Sequence, residues 1–191
     1  MEPFLISAGL VALAEIGDKT QLLALVLATR FGKPLPIILG ILVATLANHA
    51  LAGAIGSWLD ALLPAETLRW VVGLTFLGIA IWTLMPDHLD EDEGQIAHYG
   101  VFVTTLIAFF VAEMGDKTQI ATAALAAQHN TFIPVVVGTT LGMMIANVPA
   151  VLVGNRLANQ IPVRLVHRVA AVIFALLGVA TLFGAGERFR L

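Results

Sequence analysis

Glu15-Ile16-Gly17-Asp18-Lys19-Thr20-Gln21 recurs, with one substitution, as Glu113-Met114-Gly115-Asp116-Lys117-Thr118-Gln119. The copies are 98 residues apart, 113 minus 15, and further identities fall at the same offset: Pro36 with Pro134, Gly40 with Gly138, Gly56 with Gly154, and Phe76 with Phe174. Coincidences at one spacing indicate an internal repeat. Each copy of the acidic string lies inside a long apolar run, and this conflict between charge and surroundings decides the reading of the chain.

Working outward from the two strings, apolar runs occupy about 4–28, 35–58, 68–85, 98–127, 132–153 and 166–183. Several approach the roughly 20 residues that cross a bilayer as a helix. Composition agrees: 59% of the 191 residues are apolar and 12% charged, mean hydropathy is +0.92, and soluble chains carry about a quarter charged residues. Glycine and proline recur within the runs, which membrane helices tolerate and use for close approach. Trp58, Trp70 and Trp82 fall near run ends, where interfacial anchors belong. The first run lacks a basic leader and carries Glu15, Asp18 and Lys19, so it is expected to be retained as a span rather than cleaved.

The expected fold class is therefore an all-α integral membrane protein with six transmembrane helices. Three spans lie in a first repeat at 1–85, an acidic linker follows at 86–97, and three spans form a second repeat at 98–191. An odd number of spans per repeat makes the second half enter the bilayer from the opposite side. The halves are then inverted repeats related by a pseudo-two-fold axis in the membrane plane, as in many secondary transporters. Arg30, Lys33, Arg156, Arg164 and Arg168 fall on one side, against Arg69, Arg188 and Arg190 on the other. The basic excess predicts a cytoplasmic linker and both termini outside.

Several functions are disfavoured. The chain has no cysteine and a formal charge of -3, so thiol chemistry and a basic nucleic-acid surface are both missing. No phosphate-binding loop of strand-turn-helix type and no serine-histidine-acid arrangement is present, so neither an enzyme nor a cofactor is expected.

Charges inside a membrane span are costly and mark functional sites by default. Helical spacing places Glu15, Asp18 and Lys19 on one side of the first span and Glu113, Asp116 and Lys117 on one side of the fourth. Gly17 and Gly115 allow a close approach or a local break in each helix. If the inverted halves face each other, Glu15, Asp18, Glu113 and Asp116 converge near the midplane. Four carboxylates without sulfur suit a hard divalent cation: calcium, manganese or magnesium. Four acids against two lysines leave two negative charges, which one divalent ion neutralises. Without the ion the crowded acids should take up protons, a sufficient basis for metal/proton exchange.

Thr20, Gln21, Thr118 and Gln119 extend the strings by a turn and offer hydrogen bonds. Asn48 and Asn147 occupy comparable regions of the second and fifth spans, although the ungapped partner of Asn147 is His49. Either asparagine can ligate an ion through its amide oxygen or hold two helices together. His49 reads as a helix-packing histidine, or as a proton relay or minor ligand. His88, His98, His129 and His167 lie beside loops and read as solvated. The acids Asp87, Asp90, Glu91, Asp92 and Glu93 read as a solvated linker that can also attract cations. The competing reading of the buried charges is a set of Asp/Glu to Lys pairs that pack helices.

In its duplicated Glu-x-Gly-Asp-Lys-Thr strings the chain resembles the Gdt family of small cation/proton exchangers, whose human relative is a Golgi transmembrane protein needed for normal glycosylation. The resemblance covers nearly the whole chain, with no departure inside either string. It implies exchange of manganese or calcium against protons, and bacterial relatives resemble manganese exporters. The family's functional acids fall on Glu15, Asp18, Glu113 and Asp116, with Lys19, Thr20, Lys117 and Thr118 as companions. A compact prokaryotic member in a bacterial inner membrane is expected, since the chain has no long N-terminal extension. Its expected substrates are a divalent ion, manganese before calcium, and the proton, and export from the cytoplasm is the expected direction. A calcium/proton antiporter of the same architecture, or a divalent-cation channel, is the alternative. One chain holds both halves, so a monomer suffices, and a homodimer is equally compatible.

Overall fold

The computed structural model describes residues 1–85, 100–153 and 163–184. The acidic linker expected at 86–97, with its charged cluster, lies outside the described residues, as do His88, His98, Arg156, Arg188 and Arg190. Among the described residues there are eight α-helices and no strand: α1 (Glu2–Glu15), α2 (Lys19–Phe31), α3 (Pro34–Leu62), α4 (Ala65–Trp82), α5 (Val101–Glu113), α6 (Lys117–His129), α7 (Phe132–Val153) and α8 (Val163–Leu182). Four of them, α3, α4, α7 and α8, are long and apolar enough to cross a membrane.

The first and fourth apolar runs, drawn above as single spans, are each two shorter helices. The cause is local. Gly17 and Gly115 adopt φ of +84° and +77°, a left-handed region that ends a right-handed helix and that side chains rarely tolerate. The aspartate that follows starts the next helix. Asp18 accepts from the Lys19 amide at 2.7 Å and Asp116 from the Thr118 amide at 3.5 Å, each satisfying an otherwise orphaned helix N-terminus. Gln21 and Gln119, three residues on, accept from the amides of Gly17 and Gly115 at 2.9 and 2.7 Å. Gly-Asp-Lys-Thr-Gln is thus a helix-restarting device, a variant of the capping box in which the glutamine reaches one residue further back.

Burial is inverted relative to a protein dissolved in water. Leu35, Ile55, Trp58, Trp70 and Leu176 are exposed, whereas Glu15, Asp18, Glu113, Asp116 and Lys117 are buried. An exterior this apolar is stable only against lipid. With its several apolar helices, the chain is a multi-pass membrane protein.

Helix α7 packs on α1, and α3 on α5. Glycines make these approaches possible: a Cβ on Gly138 would stand 2.5 Å from the Phe4 carbonyl oxygen, and one on Gly40 would stand 2.9 Å from that of Phe102. Gly142, one turn beyond Gly138, faces Ala8 and Ala12, so α7 and α1 run in the same direction. Likewise Gly40 faces Phe102 and Thr105, while Asn48 bonds the Phe110 carbonyl at 3.0 Å, so α3 and α5 are parallel too. Helices α4 and α8 cross antiparallel at Gly73 and Gly178 and stack Phe76 on Phe174, with ring centroids 6.2 Å apart.

Candidate ion-binding site

The two helix breaks meet inside the molecule. Carboxylate oxygens of Glu15, Glu113 and Asp116 lie within 4.8 Å of one another, and all three residues are buried. Each glutamate ends a helix and is held across the break by the threonine of its own string. Thr20 Oγ1 donates to Glu15 Oε2 at 2.6 Å, and Thr118 Oγ1 donates to Glu113 Oε2 at 3.1 Å. The opposite oxygen of each, Glu15 Oε1 and Glu113 Oε1, is buried without a hydrogen-bond partner among the described residues. A free, desolvated carboxylate oxygen is costly unless a cation or a proton completes it. Three such acids at this separation form an all-oxygen donor set fit for a hard divalent ion.

The fourth acid is placed differently. Asp18 is fully buried against Lys117 Nζ at 2.7 Å and is not in the close carboxylate group. Lys19 reaches Asp116 more loosely, at 3.7 Å, and keeps 21% of its side-chain exposure. Both lysines therefore pair with the aspartate of the other string, crossing between the two halves. The ion pairs weighed from the sequence exist, but their short contacts are made to the two aspartates, while both glutamates are grouped with Asp116.

The supporting polar residues divide in the same way. Gln119 Nε2 donates to Asn48 Oδ1 at 3.3 Å, and Gln21 Nε2 donates to the Ala146 carbonyl at 2.9 Å. Ala146 is the ungapped counterpart of Asn48, since 146 minus 48 is 98. The Asn48 amide thus links helices with both of its ends. Asn147 donates to the Met143 carbonyl of its own helix at 3.1 Å and leaves Oδ1 unpartnered among the described residues. His49 is buried, and neither ring nitrogen has a hydrogen-bond partner among the described residues. It is not in the close group, so the donors there are oxygens only.

Two residues that sequence reading passed over bear on the site. Val163 fills the space that a Cβ on Gly17 would take. His167, expected beside a loop in water, is part-buried with Nε2 2.8 Å from the Ile16 carbonyl oxygen; a carbonyl only accepts, so this nitrogen carries the proton. The available signal was the period of α8, which places residues 163 and 167 on one face.

With the geometry established, comparison with known proteins identifies the family. The model of the divalent cation/proton antiporter GDT1 family matches residues 3–91 and again 101–188. The chain belongs to that family, and the resemblance drawn from the acidic strings is borne out. A Vibrio cholerae protein named "Putative manganese exporter" is 52% identical over 184 residues, which is 96% of this chain and 92% of that one. A GDT1-like protein of Synechocystis is 30% identical, with 90% and 92% of the two chains covered. GDT1-like protein 5 of Arabidopsis thaliana is 26% identical, with 95% and 96% covered. No solved structure matches the chain.

Proposed function

We propose that this member of the divalent cation/proton antiporter family exports manganese from the cytoplasm in exchange for protons, binding both at the carboxylates of Glu15, Glu113 and Asp116, with Asp18 in reserve. The observation that carries the reading is the group of three buried acids within 4.8 Å, in which one oxygen of each glutamate lacks a hydrogen-bond partner among the described residues. Such a group, with one lysine loosely paired to Asp116 and the other held by Asp18, does not keep all three acids ionised away from water without a cation. It holds a divalent ion or it holds protons, and alternation between the two is exchange. Thr20 and Thr118 fix the glutamate oxygens they touch, so that the opposite oxygens face the ion. Lys117 neutralises Asp18 and thereby limits the charge of the loaded site.

The proposed framework is two inverted three-span repeats at 1–85 and 98–191, joined by the linker at 86–97. Each broken pair, α1 with α2 and α5 with α6, makes one span beside α3, α4, α7 and α8, six in all. Three features support it. The same family model matches once in each half. Residues related by the 98-residue offset meet one another or exchange partners: Phe76 with Phe174, Lys19 with Asp116, and Lys117 with Asp18. The parallel pairs α1–α7 and α3–α5 are the pairs that inversion makes parallel.

Manganese is favoured over other divalent ions by the relative that is 52% identical. An oxygen-only donor set suits calcium equally well, and for that reason a calcium/proton antiporter is the second reading. Reconstitution into liposomes, with manganese, calcium and magnesium supplied separately under an imposed pH gradient, separates the two. Manganese flux that requires the opposing proton gradient is the expected result. Flux of calcium alone would move the assignment to the second reading, and flux unaltered by collapse of the gradient would end the exchange proposal.

A further inference from the structure

The two strings are nearly identical, yet the structure surrounds their helix breaks differently. At the first break, Val163 sits where a Cβ on Gly17 would be, and His167 Nε2 is 2.8 Å from the Ile16 carbonyl. One face of the opening turns of α8 thus covers this break. The repeat assigns Ala65 and Arg69, on α4, as the counterparts of Val163 and His167, by subtracting 98. They do not cover the second break. A Cβ on Gly115 would meet nothing within 4 Å among the described residues, Gly115 is exposed, and Met114 is 61% exposed. Arg69 lies instead 4.0 Å from Glu66 on its own helix.

The ion pairs show the same imbalance. The aspartate at the covered break, Asp18, is locked to Lys117 at 2.7 Å with both side chains fully buried. The aspartate at the open break, Asp116, belongs to the close acid group, and its lysine is longer-ranged and partly exposed.

We propose that the opening turns of α8 are a gate, with Val163 and His167 closing the site at the Gly17 break. In the opposite state of the transport cycle, Ala65 and Arg69 of α4 close it at the Gly115 break while α8 withdraws. This rests on the inverted-repeat exchanger reading above. The chemistry of the exchange is consistent, because an arginine guanidinium donates to a carbonyl as His167 does, and Met114 O is the counterpart of Ile16 O. The glycines are needed twice over: their left-handed φ breaks the helix, and their lack of a side chain lets a gate residue seat on the break. On this reading the cation enters on the side of Gly115, the exposed break that no gate residue covers among the described residues. When the gates exchange, Lys19 tightens on Asp116, and Lys117 releases Asp18 into the group of acids. The site is thereby presented to the other side with an equivalent acid set.

Because the chain has no cysteine, introduced pairs are its only thiols. The test compares Ile16→Cys with His167→Cys, and Met114→Cys with Arg69→Cys, each in the full chain reconstituted into liposomes and treated with a short bis-thiosulfonate reagent, from which each cysteine thiolate displaces a sulfinate to form a reductively cleavable disulfide. Both pairs should cross-link, although only the first is in contact here, and either cross-link should reduce manganese flux at least tenfold until reductant restores it. A second pair that never cross-links in a variant that transports overturns the proposal, as does full flux through a cross-linked first pair. Should these variants fail to fold, Ile16→Cys with Val163→Cys, and Met114→Cys with Ala65→Cys, probe the same contacts, and cross-linking of neither overturns the gate. Flux is also measured in the cysteine-free chain: no flux of manganese, calcium or magnesium there, with both pairs cross-linking, defeats the transport reading and leaves the exchange of gates standing.

Discussion

Replacing Lys117 with methionine should damage the folded protein far more than the same change at Lys19, although the two lysines occupy identical places in nearly identical strings. Lys117 lies 2.7 Å from Asp18 and neither side chain is exposed. Its loss strands a buried carboxylate, and breaking a buried pair from one side costs about 3–5 kcal/mol. At 1.36 kcal/mol per tenfold, that is roughly a 150- to 5000-fold loss in the folding equilibrium. Lys19 is 3.7 Å from Asp116 and retains 21% of its side-chain exposure, so its removal should cost about 1 kcal/mol or less. Equilibrium unfolding in mixed micelles titrated with a denaturing detergent reads both variants on one scale. The double variant Asp18→Asn with Lys117→Met should recover most of the loss, because it removes the stranded charge together with its partner. Equal costs for the two lysine variants, or no recovery in the double variant, would refute the unequal pairing on which the reasoning depends.

Thr20→Val removes the hydroxyl that holds Glu15 Oε2 at 2.6 Å, and should weaken manganese binding about 10- to 100-fold, the usual effect of losing a group that orients a ligand; titration calorimetry on the folded variant checks it. Gly142→Ala would place a Cβ 2.5 Å from the Ala8 carbonyl, and should destabilise the α1–α7 contact by about 1–3 kcal/mol, as overpacking does, in the same micelle assay. Gly17→Ala and Gly115→Ala share the backbone strain of a positive φ, but only the first adds a collision with Val163; greater loss of stability in the first is the expected outcome of thermal unfolding in micelles.

Much of the architecture was legible because lipid imposes simple rules. The run at 132–153 coincides with α7, and the apolar length that sets a span is written directly in the residues. Convergence of the two strings was legible too, since repetition at a fixed offset carries its own symmetry. The helix breaks were half legible: Gly17 and Gly115 signalled them, but the restart by Asp18 and Gln21, an acid with a glutamine three residues on, is itself a capping pattern open to reading. Asn48 had two readings, and its hydrogen bonds display the helix-linking one. Its ungapped counterpart is Ala146, and a carbonyl there accepts the bond from Gln21 that the Asn48 side chain accepts from Gln119. Inequality between the halves had no sequence signal at all. Two nearly equal strings cannot by themselves specify which aspartate is locked by lysine and which joins the acids. The seat of His167 on Ile16 was legible only in part: the helical period puts 163 and 167 on one face, but does not say what that face meets.

The central claim is that one group of buried acids holds either a divalent ion or protons, and it is tested most directly by counting protons released as manganese binds. Purified protein in weakly buffered micelles, titrated with manganese while pH is followed, should bind saturably and release protons into solution. The variant carrying Glu15→Gln and Glu113→Gln should do neither while remaining folded. Manganese binding that persists in that variant, or that releases no proton from the unsubstituted protein at any pH, would contradict the account.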